Sequence, residues 1–264
     1  MLGGVEIDES LQSKVDLEGR VQRHGLLVFH GRNVTRYRGW VGRPRTPKGR
    51  AKLVLERLAE EFPGSAKDLC ALDFATPFQL LCATILSAQC TDARVNMVTP
   101  ELFAAYPDAA ALAHADPDKV EEIIRSTGFF RAKTRSLIGM AAALEERFGG
   151  EVPTALEDLV TVPGVGRKTG NVVRSVAFGL PGLPVDTHVL RLSKRLGLTD
   201  DLMPVAARSD PVKVELELNS LVPAAERGAF SLRVILHGRA TCTARKPACE
   251  RCVMADFCPS AGRV

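Results

Sequence analysis

The chain has 264 residues, 45% hydrophobic and only 5% aromatic, with a formal net charge of +4. It is long enough to bury one large core or two small ones. The longest uncharged apolar run, Phe78–Cys90, has 13 residues, short of the roughly 20 that a membrane-spanning helix needs. No basic start followed by an apolar block stands at Met1, so no secretory signal is expected, and the cysteines read as intracellular thiols.

Charge is unevenly spread. Residues 19–52 hold 10 Lys or Arg and no Asp or Glu, which leaves 25 basic against 31 acidic residues elsewhere. Rich in Gly and Pro and without a sustained helical period, residues 1–50 read as a solvated, largely disordered arm. The alternative is a phosphate-binding arm whose contacts release counterions. From Ala51 the chain reads as helices. "AKLVLERLAEEF" spaces its apolar residues helically and stops at Pro63-Gly64, and "PDKVEEIIRSTG", "KTRSLIGMAAALEERFGG" and "VLRLSKRLG" keep the same period and end at Gly. No segment alternates persuasively with period two, so the expected fold class is all-α. Cys70, Cys82 and Cys90 lack metal-ligand spacing and are expected to be small core residues.

Thr154 and Glu157 stand three apart, as in a capping box, and predict a helix through Leu156, Leu159 and Val160. It stops at "VPGVGRKTGNVV", residues 162–173. Gly164 and Gly166 permit tight backbone angles, Val165 can plug down between two helices, and the next helix begins with Arg167 and Lys168. The unpaired N–H groups and positive end of that helix suit a phosphate. Alone, "PGVG" reads equally well as an ordinary helix-helix turn. Lys168 falls in the first turn, with Asn171 and Ser175 expected on its face and Val172, Val173, Val176 and Ala177 packed inward. A lysine amine is a nucleophile only when neutral, a form that the positive helix end and neighbouring Arg167 favour. Asp186, in "PVDTHVLRLSKRLG", is expected to cap a helix ending at Gly197 and could also relay a proton if the fold brings it to the amine.

Cys242, Cys249, Cys252 and Cys258 lie within 17 residues, spaced C-x6-C-x2-C-x5-C. Four thiolates so close suit a cubane iron-sulfur cluster, with zinc the competing metal. Clamping both ends of the x6 loop would hold Arg245 and Lys246 out as phosphate contacts.

"LSAQCTD" (86–92), "VPGVGRKTGNVV", "VDTHV" (185–189) and "LHGRATCTARKPACERC" (236–252), in this order, resemble the endonuclease III family, helix-hairpin-helix DNA glycosylases with a [4Fe-4S] cluster. The resemblance runs from about Ala51 to Cys258. It implies two helical lobes with DNA in the cleft between them: a six-helix barrel over residues 70–180, with the helix-hairpin-helix at about 155–178, and a cluster lobe from residues 51–69 and 181–264. It further implies excision of oxidised pyrimidines such as thymine glycol from duplex DNA, followed by AP lyase nicking. In that reading Lys168 is the nucleophile, Asp186 its partner and the four cysteines the cluster ligands. Gln89 fills the gap left by the extruded nucleotide, Phe129 stands at a second wedge position often held by a smaller aliphatic residue, and the Arg245–Lys246 loop meets DNA. A monomer in a bacterial cytoplasm, associated with the nucleoid, is expected. Two departures stand out: Gly170 where an alanine is usual, costing about 1 kcal/mol of helix propensity, and a lengthened stretch from Thr199 to Pro211. The alternatives are a relative acting on mismatched or alkylated bases, against which Lys168 argues in part, and a non-catalytic iron-sulfur DNA-binding or redox module.

Overall fold

The computed structural model describes residues 44–199 and 210–264. Most of the basic arm and most of the lengthened stretch lie outside the described residues. Within them the protein is all-α, with no strand. In chain order the helices are α1 (Pro47–Glu61), α2 (Ala66–Leu69), α3 (Pro77–Leu86), α4 (Asp92–Ala105), α5 (Ala109–Ala113), α6 (Pro117–Ile124), α7 (Phe130–Phe148), α8 (Leu156–Leu159), α9 (Arg167–Val176), α10 (Thr187–Arg195), α11 (Pro211–Leu221) and α12 (Arg227–Ala240).

Local chemistry sets most of the helix starts. Side chains of Thr46, Ser65, Thr76, Thr91, Asp108 and Asp116 each accept a first-turn N–H, and Pro47, Pro77, Pro117 and Pro211 occupy starts where a missing N–H costs nothing. α1 opens at Pro47, inside the stretch assigned to the arm, because Thr46-Pro47 is a complete start signal. Gly149 (φ 60°) ends α7 in the left-handed conformation.

The expected capping box does not form. α8 is capped by Ala155 with no side-chain bond, so Glu157 is the second helical residue rather than the third and a Thr154–Glu157 box cannot close. The carbonyl of Thr154 accepts from the Arg174 guanidinium of α9, which ties the segment leading into α8 to the second helix of the hairpin.

Apolar burial separates into two cores. The first includes Leu81, Leu86, Val95, Leu102, Ile124, Leu137, Leu144, Val173 and Val176. The second joins Ala51, Val54 and Leu58 of α1 to Leu183, Val189, Leu192, Leu218, Phe230, Met254 and Phe257. The two ends of the described chain therefore share one lobe, and the Arg57 guanidinium closes it by binding both the Val253 carbonyl and the Asp256 carboxylate. Cys82 is buried in the first core, with Cys70 and Cys90 packed against it. No described helix is long and apolar enough to cross a membrane.

Candidate DNA-cleaving site and iron-sulfur lobe

The hairpin between α8 and α9 is pinned from beneath. Val165 is buried in the first core, and Gly164 takes φ 76° where a Cβ would lie 2.9 Å from that of Ser136 on α7. Gly164 is thus required by both conformation and space. Gly166 is not left-handed: it is the N-cap of α9, with φ −84°, ψ 170° and open space where a Cβ would stand. No side chain caps α9. Its first-turn donors and dipole are left for a ligand from outside, the arrangement that binds phosphate.

Lys168 is the second residue of α9 and is exposed. Asn171 and Ser175 do not share its open face. They are buried, because α9 is covered on this side by the second lobe: a Cβ on Gly228 of α12 would come within 2.5 Å of the Ser175 Cβ. Val173 and Val176 point into the first core as expected. Gly170 also has a reason. A Cβ there would meet Leu156 Cδ1 of α8 at 2.7 Å, so in this chain the Leu156 side chain occupies the space that an alanine methyl would take.

Arg167 is engaged across the lobes. Its Nε and Nη2 donate to the two carboxylate oxygens of Glu215 on α11, both at 2.8 Å, and this pairing raises the guanidinium pKa further. Its charge is therefore largely answered by Glu215 rather than acting freely on Lys168. Asp186 caps α10, Oδ1 accepting from the backbone N–H of His188 (2.8 Å) and Val189 (2.9 Å).

A cleft of about 330 Å³ opens beside the hairpin, lined by Gln89, Phe129, Lys133, Gly164 and Thr169 among others. Gln89 (φ 52°) and Phe129 (φ 50°) are the only non-glycine residues with positive φ among the described residues. Each costs on the order of 1–2 kcal/mol of backbone strain. Phe129 is 67% exposed, so it is not a core aromatic. Beneath it the buried Lys133 ammonium donates to the Thr127 carbonyl at 2.8 Å, and burial lowers the lysine pKa from its ordinary value. Lys133 thereby fixes the turn that leads through Gly128 to Phe129. Sequence reading passed over Lys133 and Glu215, yet each carries a signal. Leu137, Met140 and Leu144 follow Lys133 at buried-face spacing, and Leu218 and Val222 follow Glu215 the same way.

In the second lobe Cys242, Cys249, Cys252 and Cys258 line one pocket with Arg195 and His237. Arg195 Nη1 lies 3.3 Å from Cys242 Sγ, and His237 Nε2 lies 3.3 Å from Cys252 Sγ. Burial pushes the Cys252 thiol up to about 12, with Cys242, Cys258 and Glu61 acting in the same direction, and burial likewise raises Cys258. Thiols so placed ionise together only against a compensating positive charge, as a ligated metal provides. Four thiols on one pocket are the donor set of an iron-sulfur group, although among the described residues no three such side chains converge as the ligands of one metal ion. Arg195 also holds the carbonyls of Thr243 and Ala244, and Arg245 and Lys246 stand exposed on the loop beyond.

Comparison with known proteins agrees with this construction. Residues 82–224 match the HhH-GPD superfamily of base excision DNA repair proteins, and residues 242–258 the iron-sulfur binding domain of endonuclease III. Endonuclease III of Synechocystis sp. is 53% identical over 215 residues, covering 81% of this chain and 94% of that protein. The chain belongs to the endonuclease III family. Two solved structures, a non-covalent endonuclease III–DNA complex and a trapped endonuclease III–DNA covalent intermediate, each align with TM-score 0.73 at 39% identity, over 81% of this chain and 96% of theirs. A thermostable thymine-DNA glycosylase, at 21% identity and TM-score 0.70, shares the fold. As a member of the endonuclease III family the protein is a base excision DNA glycosylase and AP lyase for oxidised pyrimidines, acting on double-stranded DNA. Its second lobe holds an iron-sulfur binding domain.

Proposed function

We propose that Lys168 is the nucleophile of this reaction and Asp186 its proton-handling partner. The reading is carried by one observation: an exposed lysine stands at the second residue of a helix whose N-terminus no side chain caps. A phosphate held by those N–H groups would bring the neighbouring sugar to the amine. Extrusion of the nucleotide costs a few kcal/mol, less for a damaged base, and Gln89 and Phe129 are the residues that fill the gap. The neutral amine attacks C1′ and the base departs with the glycosidic electron pair. The sugar ring opens to an imine between Lys168 and C1′, the C2′ proton is removed, and its electrons expel the 3′ phosphate by β-elimination. Asp186 accepts or relays the protons of these steps.

Four thiolates, from Cys242, Cys249, Cys252 and Cys258, would hold a [4Fe-4S] cluster, which when bound supplies a rigid clamp on the Arg245–Lys246 loop for contact with DNA phosphates. The same reading assigns residues 70–180 to the barrel lobe and residues 51–69 with 181–264 to the cluster lobe, DNA lying in the cleft between them. It describes a monomer in the cytoplasm, at the nucleoid. Gly164 and Gly166 grip the backbone, Val165 seats the turn that presents them, its N–H donating to the Val162 carbonyl, and Arg167, occupied by Glu215, serves DNA chiefly through its N–H.

Borohydride trapping tests the assignment. With thymine-glycol duplex the native protein gives a covalent adduct on a denaturing gel, and Lys168→Ala gives none. An adduct that persists in Lys168→Ala overturns the assignment of the nucleophile.

A further inference from the structure

Lys168 and Asp186 stand on helices anchored in different cores. α9 buries Val173 and Val176 in the first, and α10 buries Val189 and Leu192 in the second. Their approach is therefore set by how the lobes seat on each other along α9. Toward its C-terminal end that seating is tight, because Gly228 of α12 admits the Ser175 side chain with no room for a Cβ. The reactive end, about 12 Å away at 1.5 Å per residue, is different. There a cavity of about 190 Å³ separates the lobes, lined by Asn171, Arg174, Asn219 and Arg227 among others. Asn171 Nδ2 and Asn219 Oδ1 are buried without a hydrogen-bond partner among the described residues. These two polar atoms therefore add no hydrogen bond across the lobes.

One turn further along α9 the lobes do touch, the Gly182 backbone lying against Asn171 with no room for a Cβ and Arg174 donating to the Pro181 carbonyl. At the first turn itself the tie is the two-pronged pair between Arg167, the residue next to Lys168, and Glu215. Glu215 is 4% exposed and sits between the core residues Val214 and Leu218. A carboxylate so buried needs its cation, and the planar guanidinium fixes direction as well as distance. We propose that Glu215 is a positioning residue for the lysine chemistry: it ties the first turn of α9 to the lobe that carries Asp186 and so holds Lys168 in line with its partner. This role presupposes Lys168 and Asp186 as the reacting pair. The Arg167–Glu215 pair is then an aligning device, with no contact to the substrate from Glu215 itself.

The test is single-turnover imine trapping at saturating abasic duplex, with full-length protein and its cluster intact. Glu215→Gln keeps the shape and removes the charge. A displacement of about 1 Å at the reacting atoms costs on the order of 100-fold, so trapping slows roughly 10- to 100-fold while the Kd for the duplex stays within about threefold. In an Asp186→Asn background the same change slows trapping no more than about threefold, because the alignment it provides has already lost its object. If Glu215→Gln does not fold, Arg167→Lys, which keeps the charges and loses the two-pronged geometry, is measured in the same two backgrounds. Native-like trapping, or losses that multiply independently of Asp186, overturns the role of Glu215. Absence of any Lys168-dependent adduct in the native protein overturns instead the functional assignment beneath it.

Discussion

Two helix starts, twenty residues apart, are built in opposite ways. α9 opens on Gly166 and brings no side chain to its own first turn, whereas α10 opens on Asp186, whose single oxygen takes two backbone N–H groups. The first leaves its donors for an external anion, and the second satisfies its donors with an anion of its own. A repair enzyme of this kind needs both: an electropositive end that grips phosphate, and a carboxylate held where a proton must move. Most other starts in the molecule follow the second pattern, with Thr, Ser or Asp as cap, so α9 departs from what helix stability alone would select.

The contrast can be broken from either side. The largest effect is expected at α10. Asp186→Asn retains an oxygen for the cap, so thermal stability stays close to native while trapping falls about 100-fold or more, the usual scale for losing a proton-transfer group. Asp186→Ala should lose the same activity and, in a denaturation curve, about 1 kcal/mol of capping as well. Equal trapping by native and Asp186→Asn protein would make Asp186 a cap and nothing else.

At α9 the converse change is Gly166→Asp, which the backbone and the open space around Gly166 permit. It should make α9 resemble α10, raising stability by a few tenths of a kcal/mol. The new carboxylate would occupy the phosphate site, and affinity for abasic duplex should fall about 10- to 100-fold, the worth of one or two hydrogen bonds to a charged group. Unchanged affinity would show that phosphate is not held there. A smaller effect is expected at the wedge. Phe129→Gly relieves a left-handed backbone and should preserve or raise stability by up to about 1 kcal/mol. Excision of base-paired thymine glycol should slow about tenfold while cleavage of a ready-made abasic site changes less, because extrusion is the costly step only for the former. Equal slowing on both substrates would remove Phe129 from that role.

The elements legible in the sequence are those whose cause is local. "PVDTHV" announces the α10 cap because Asp, its acceptor oxygen and the N–H groups it meets lie within four residues. The hairpin and the cysteine spacing are legible for the same reason. The Thr154–Glu157 box misleads by one residue, since the cap is Ala155, which has no side-chain oxygen to announce it. Gly170 is no clearer from local sequence, because the side chain that fills the space beside it, Leu156, belongs to the preceding helix. Glu215 lies furthest from local reading. Its partner is 48 positions away, and on the same helix Leu216 is exposed where the acid is buried, an inversion that makes sense only once Arg167 is placed.

The lobe that holds the cysteines is made from both ends of the described chain, Arg57 reaching residues nearly two hundred positions later, while the lobe bearing the hairpin draws its core from one uninterrupted stretch. During synthesis the hairpin lobe can therefore be complete while the other still lacks most of its parts. Of the described helices α1 is made first, and the core that buries its Val54 and Leu58 is complete only when Phe230, Val234, Met254 and Phe257 have been added. In the proposed reading an iron-sulfur group can be inserted only after Cys258 has been made, so the hairpin would be folded before the loop that such a group would clamp.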